Sequence, residues 1–287
     1  MPFFRIDGTV GVVGAAPDGD SVRFTPTRPD AWTAAGLRVK ANAHATVQLR
    51  LDAIDALETH YTPPGGGVGQ LHQPPALGDA AARSLLEQLG FTSVTRSGQT
   101  VTSATPASVP ATVLTSGADK YGRAVAFLFA AGAAPEGADG ARVFLHPDAV
   151  TASVNAALLG SGLAYPTFYS ELYADLRAAL TTLAAGARDA GRGVWPVDAT
   201  TSGVQVRGLE TLTESAVVLP KLFRRLVEYL GLGTADLSGF RAFLDSSPDR
   251  VLVLDTGQVA ALSSVVAVEG QTVRMLAAPD RLVFFET

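Results

Sequence analysis

The stretch Thr46–His60, reading TVQLRLDAIDALETH, constrains this chain more than any other. Val47, Leu49, Leu51 and Ala53 alternate with polar neighbours, and a period of two belongs to a half-buried strand. Arg50 falls on the face opposite those apolar residues. The alternation then breaks at Ile54-Asp55. In an unbroken strand Arg50 and Asp55 would point to opposite faces, roughly 16 Å apart at ~3.3 Å per residue. For both to serve one site, the chain must bend or bulge between them. Arg50, Asp55, Glu58 and Thr59 all carry groups capable of chemistry. The stretch reads either as a surface strand running into an acidic turn or as a strand that delivers those groups to a common centre.

Two further segments bear on that choice. Asp18-Gly19-Asp20-Ser21-Val22 places two carboxylates on a glycine turn that enters a strand, and Asp119-Lys120-Tyr121-Gly122-Arg123 places a second arginine at the start of another. Taken singly, these are hairpin-turn acids and surface strand arginines. Taken in order, DGDSV, then R-x4-D-x2-ET, then DKYGR, the chain resembles the thermonuclease (staphylococcal nuclease-like) family. The resemblance covers residues 5–196 and includes Val154-Asn155 and Gly162-Leu163-Ala164 late in that span.

The resemblance implies a Ca²⁺-dependent phosphodiester hydrolase, an endonuclease acting on single-stranded DNA or RNA, with Mg²⁺ as the alternative ion. Asp20, Asp55 and the backbone carbonyl of Ala56 would ligate the cation, since hard oxygen donors suit such ions. Asp18 would hold metal-bound water or the turn. Glu58 would accept a proton from the attacking water or orient it. Arg50 and Arg123 would offer planar forks to the phosphate, with Lys120 and Tyr121 on a neighbouring phosphate. The pattern departs in two places. Ala56-Leu57 stand where the family has Thr-Pro, which removes a hydroxyl but leaves the backbone carbonyl. The family's paired tyrosines after Gly-Leu-Ala have no aligned equivalents, so Tyr165, Phe168 and Tyr169 are the candidates for base stacking.

Along the chain, Phe3–Val13 and Ser21–Thr25 read as strands, and 26–45 as loop or irregular strand. Pro63–Gly69 is a glycine loop without the Lys-Ser/Thr of a phosphate-cradling loop. A helix is expected from an Asp79 cap to about Leu89 and ended by Gly90, and short strands over 91–116. Tyr121–Ala130 reads as a strand. Helices follow from an Asp148 cap to about Leu159 and from a Ser170 cap to Gly191. Strands with flanking helices suit a small closed five-stranded β-barrel, the OB-fold, which the resemblance also implies. The loop between Glu58 and Tyr121 is longer than in the family's pattern.

The expected division is a nuclease domain over 1–198 and a C-terminal α+β module or extension over 199–287, for which no relative suggests itself. Pro220 is suited to open a helix there. Leu222, Phe223, Leu226, Val227 and Leu230 form its apolar stripe, and Lys221, Arg224, Arg225 and Glu228 lie opposite. That charged face is expected to be solvated. A second short helix over Ala235–Leu244 and strands at 251–254, 259–268, 272–276 and 282–285 complete the region.

Composition narrows the partners. The net charge is −5, with 14 basic and 17 acidic side chains before residue 199 and 8 and 10 after it. Neither region has the basic footprint of a simple nucleic-acid binder, so a polyanion would be held by local arginines and a cation. The absence of cysteine excludes disulfides and thiolate metal sites. The four histidines show no ligand spacing. No apolar run approaches the ~18 residues of a membrane span, and no signal peptide is read, so a cytoplasmic, membrane-free protein is expected. The competing readings are a non-catalytic OB-fold binding or scaffolding module and a small-molecule phosphodiesterase.

Overall fold

The computed structural model describes residues 2–64 and 67–285. Gly65 and Gly66 of the expected glycine loop lie outside them. Five strands close on themselves: Phe3–Gly11, Ser21–Pro26, Val47–Leu51, Ser108–Ala118 and Ala124–Ala130. Phe3–Gly11 pairs antiparallel with both Ser21–Pro26 and Ser108–Ala118. Ser21–Pro26 pairs with Val47–Leu51, which runs parallel to Ala124–Ala130, and Ala124–Ala130 pairs back to Ser108–Ala118. This is a closed five-stranded barrel with extra strands and several helices. The alternation in Val47–Leu51 is realised, with Val47, Leu49 and Leu51 buried and Gln48 and Arg50 on the other face.

The bend required after Arg50 is a tight turn at Asp52–Ala53. Ala53 adopts a left-handed backbone, φ 68°, and a second short strand, Ile54–Ala56, leaves at a new angle. It pairs not with the barrel but with Ala164–Pro166, Asp55 opposite Tyr165. The buried amide of Asn155 braces this turn. Its Nδ2 donates to the carbonyls of Asp52 and Ala126, and its Oδ1 accepts from the Leu128 N–H.

Several helix starts differ from expectation. The first long helix runs Pro75–Leu89, with proline rather than Asp79 at its start, and ends at left-handed Gly90. Proline at the first turn needs no N–H donor there. The expected Asp148 helix is two pieces, Pro147–Val150 and Val154–Gly160, because Ser153 caps the second by accepting from the Ala156 N–H. The next helix begins at Ala174, not near Ser170, because Phe168–Tyr169 and the turn after it are taken by other pairings.

The region after residue 199 holds the helices Leu209–Glu214, Pro220–Leu230 and Phe240–Asp245 and the strands Val204–Gln205, Arg250–Val253, Gln258–Ala261, Val266–Glu269, Thr272–Met275 and Leu282–Phe284. Its apolar core centres on Leu222, Phe223, Leu226, Phe240, Val251 and Phe284, and also takes in Leu57, Tyr165 and Val194. Phe168–Tyr169 joins Leu282–Phe284 as a parallel pair, Tyr169 opposite Phe284. Backbone pairing thus crosses between the two parts beside Asp55. Among the described residues, no helix is long and apolar enough to cross a membrane.

Candidate active site

Asp18 and Asp20 flank Gly19 at the entry to the Ser21 strand. A Cβ on Gly19 would come within 2.5 Å of the Ala56 Cβ and 2.6 Å of the Ala81 Cβ, so only glycine lets this turn press onto Ile54–Ala56. One consequence is that Asp20 Oδ2 accepts from the Ala56 N–H at 3.2 Å. Asp20 also fixes the barrel edge, its carbonyl accepting from the Leu51 N–H at 2.8 Å. Arg50, paired in register with Ser21, projects from the adjacent strand.

Asp18, Asp20, Arg50, Asp55, Glu58, Lys120, Tyr121, Arg123 and Tyr169 all line one cleft of about 710 Å³. Ala56, whose carbonyl was expected as a ligand, is not among the residues that line the cleft; it touches the site through its N–H to Asp20, in a strand paired with Ala164–Pro166. Tyr165 does not meet it. Its ring is fully buried edge-on to Trp195, and its hydroxyl donates to Asp198 at 2.8 Å. A stacking role for Tyr165 is therefore corrected: strand pairing opposite Asp55 turns it into the second core. Phe168 is likewise fully buried. Tyr169 faces the cleft, with its hydroxyl accepting from Arg50 Nη2 at 2.9 Å and the Arg50 guanidinium 4.7 Å from its ring centre.

The DKYGR segment is organised by Asp119. Its Oδ1 accepts from the Tyr121 and Arg123 N–H groups, and its Oδ2 from Arg123 Nε at 2.7 Å. The Ala124–Ala130 strand starts one residue after Arg123, so Arg123 sits in the turn rather than in the strand. Lys120 Nζ and the Arg123 guanidinium each lie 5.6 Å from the Tyr121 ring, which is 63% exposed.

The sequence reading missed one contribution. The face of the Pro220–Leu230 helix that carries Lys221, Arg224 and Arg225 is not solvated but lines this cleft. Arg224 donates to both oxygens of Asp55, at 3.2 Å and 2.7 Å, and also to Glu58 Oε1. Lys221 and Arg225 bond Asp249, and Arg225 also bonds Glu228. The helix is tied to the loop after Glu58 by three contacts. The Tyr61 hydroxyl donates to Glu228 at 2.6 Å, and the Tyr61 ring packs edge-on against Phe223. Gln73, fully buried, accepts from the Glu58 N–H and donates to the Val218 carbonyl just before the helix. The basic residues at i, i+3 and i+4 were visible in the sequence. The acids opposite them were not.

Electrostatics split the acidic cluster in two. Burial and the nearby Glu58 charge push Asp18 up to about 7. Burial, with Asp18 and Asp55 beside it, pushes Asp20 well above the usual carboxylate range. Neither forms an ion pair with Lys or Arg among the described residues. Burial would raise Asp55 too, but the charge and hydrogen bonds of Arg224 hold it below the usual range. Burial also opposes ionisation of the Tyr169 phenol, yet Arg50 and Lys221 pull it below its ordinary value. The acids Asp18 and Asp20 are thus held toward their protonated forms, while Arg50 and Lys221 favour the ionised Tyr169 phenol.

Asp18, buried with His60 Nδ1 4.0 Å away, and the half-buried Asp20, neither paired with Lys or Arg among the described residues, are the donor chemistry that a hard divalent ion satisfies. Asp55 in this arrangement spends both oxygens on Arg224. Among the described residues, no three acidic or histidine side chains converge as a ready-made cage. No protein-family model and no curated protein matches the chain.

Proposed function

We propose that the protein hydrolyses phosphodiester bonds in single-stranded DNA or RNA with the help of a divalent cation, Ca²⁺ or Mg²⁺, on a barrel of the OB type. One observation carries this reading. Three segments far apart in the sequence bring Asp18, Asp20, Asp55, Glu58, Arg50 and Arg123 to a single cleft.

Asp18 and Asp20 would hold the ion, with the Asp55 carboxylate beside them. The ion would neutralise the cluster and the phosphate charge. Glu58 has Oε2 to accept a proton from water while Oε1 stays with Arg224. Arg50, half-buried and anchored by Tyr169, would meet the charge that builds on the phosphoryl oxygens, where fixed cationic donors contribute most. Arg123, held in place by Asp119, and Lys120 would grip a neighbouring phosphate. The exposed Tyr121 ring between them is a surface on which a base can stack.

A second reading is a small phosphodiester as substrate, favoured by the bounded cleft and the acidic balance of the chain. Labelled single-stranded DNA incubated with Ca²⁺, and then with chelator, tests both. Chelator-sensitive cleavage of the polymer supports the nuclease. Cleavage of dinucleotides alone supports the small substrate. Binding without cleavage in either condition would mark a non-catalytic module.

A further inference from the structure

Arg224 is the one guanidinium, among the described residues, hydrogen-bonded to both Asp55 and Glu58. A general base must come within about 2.6–3.2 Å of the proton it takes, directly or through one water. A phosphate attacked by a water that Glu58 holds would lie in the cleft that Arg224 also lines. Guanidinium has five N–H donors; both on Nη1 and one on Nη2 are spent on Glu58 and Asp55, so the second Nη2 proton and the Nε proton remain for a phosphoryl oxygen. Arg50 and Lys221 line the same cleft, and both lie near the Tyr169 ring. Arg50 Nη2 lies 2.9 Å from the hydroxyl, and Lys221 Nζ lies 5.9 Å from the ring centre.

The helix that delivers Arg224 is immobilised. Gln73 links its lead-in to the Glu58 backbone, Tyr61 holds Glu228, and Arg225 bonds both Glu228 and Asp249. A donor held this rigidly is preorganised and needs no rearrangement when charge develops. Arg123, by contrast, is committed to Asp119 beside Tyr121.

We propose that the C-terminal helix Pro220–Leu230 completes the substrate site. In this site Arg224 binds the scissile phosphate together with Arg50 while holding Asp55 and Glu58 in position. The substrate site is then composite, and the barrel alone lacks one of its cations. The proposal rests on the phosphodiesterase reading and extends it.

The test uses the full chain and a fluorescently labelled oligothymidylate. Binding is measured in chelator over a range of salt, and cleavage is measured separately with Ca²⁺. Each phosphate contact on a single strand contributes ~0.7 to the slope of log affinity against log salt. Arg224→Gln is expected to lower that slope by ~0.7 and turnover by roughly 100-fold, and Arg50→Gln should behave alike. A wild-type slope for Arg224→Gln, with cleavage intact in the wild type, would overturn the phosphate role and leave the nuclease reading standing. A rise in turnover would also overturn it, since Arg224 would then be a plug. If Arg224→Gln does not fold, Arg224→Lys keeps the charge opposite Asp55 but loses the fork, and unchanged turnover in that variant would refute the proposal. Absence of both binding and cleavage in the wild type would remove the nuclease reading and this proposal together.

Discussion

Arg224 grips both carboxylate oxygens of Asp55 across 169 positions of sequence, at 3.2 Å and 2.7 Å. The contact joins the short strand Ile54–Ala56 to a helix of the C-terminal region, and both partners are largely shielded from water. Breaking a buried pair from one side strands the other charge. Asp55→Asn is expected to lower the unfolding free energy by ~3 kcal/mol, and Asp55→Asn with Arg224→Gln by less than the sum of the two single changes. Urea unfolding of the four proteins measures this, and strict additivity would show that the pair is not coupled.

The two halves of the acidic cluster have opposite pH behaviour. Asp18 is raised to about 7 in the folded chain, so the unfolded chain loses this proton first as pH rises. Stability without divalent cations should therefore fall between about pH 4 and pH 7 and stay low above it. The melting midpoint in chelator should drop by roughly 5 °C across that window, and Asp18→Asn should flatten the drop. Asp55 is held low, so its contribution is present at neutral pH and disappears only as pH falls through its depressed folded value. A melting midpoint in chelator that rises with pH from 4 to 8 would contradict this assignment. Added Ca²⁺ should raise the midpoint more at pH 8 than at pH 5, because binding competes with the protons on Asp18 and Asp20.

Glu58→Gln keeps the backbone link to Gln73 and a carbonyl oxygen for Arg224, but removes the proton acceptor. Turnover is expected to fall by 10²–10⁴-fold, with oligonucleotide binding in chelator changed by less than threefold. An unchanged turnover number would remove Glu58 from the chemistry. Arg50→Ala should reduce turnover more than Lys120→Ala, since Arg50 is half-buried and fixed by Tyr169 whereas Lys120 lies beside the exposed Tyr121. Equal losses would indicate that both cations serve docking only.

Ala53 stands where the backbone is left-handed, and a side chain there costs ~1–2 kcal/mol. Ala53→Gly loses a buried methyl worth ~0.8 kcal/mol and relieves that strain, so its stability should stay within ~1 kcal/mol of the parent. Ala53→Val adds β-branching to the same conformation and should lose ~2 kcal/mol or more, with turnover reduced because Arg50 and Asp55 no longer face one cleft. Denaturant midpoints and cleavage rates of the two variants check this.

Local pattern was enough to read much of this molecule. Alternation set Arg50 on the face opposite Val47, Leu49 and Leu51, and showed that Arg50 and Asp55 could share a site only through a bend, which the structure has at Asp52–Ala53. Proline and an apolar stripe at helical spacing marked Pro220–Leu230. Periodicity of this kind follows from backbone geometry, which any stretch of chain carries within itself. Partnership does not follow from it. That Lys221, Arg224 and Arg225 meet acids rather than water, and that Tyr169 enters the cleft while Tyr165 is buried, depended on strand pairings and helix packing between residues more than a hundred positions apart. A helix period tells which side chains share a face. Only the folded chain brings Asp55 and Glu58 to that face, because desolvated charges are stable only where an opposite charge or hydrogen-bond partner meets them.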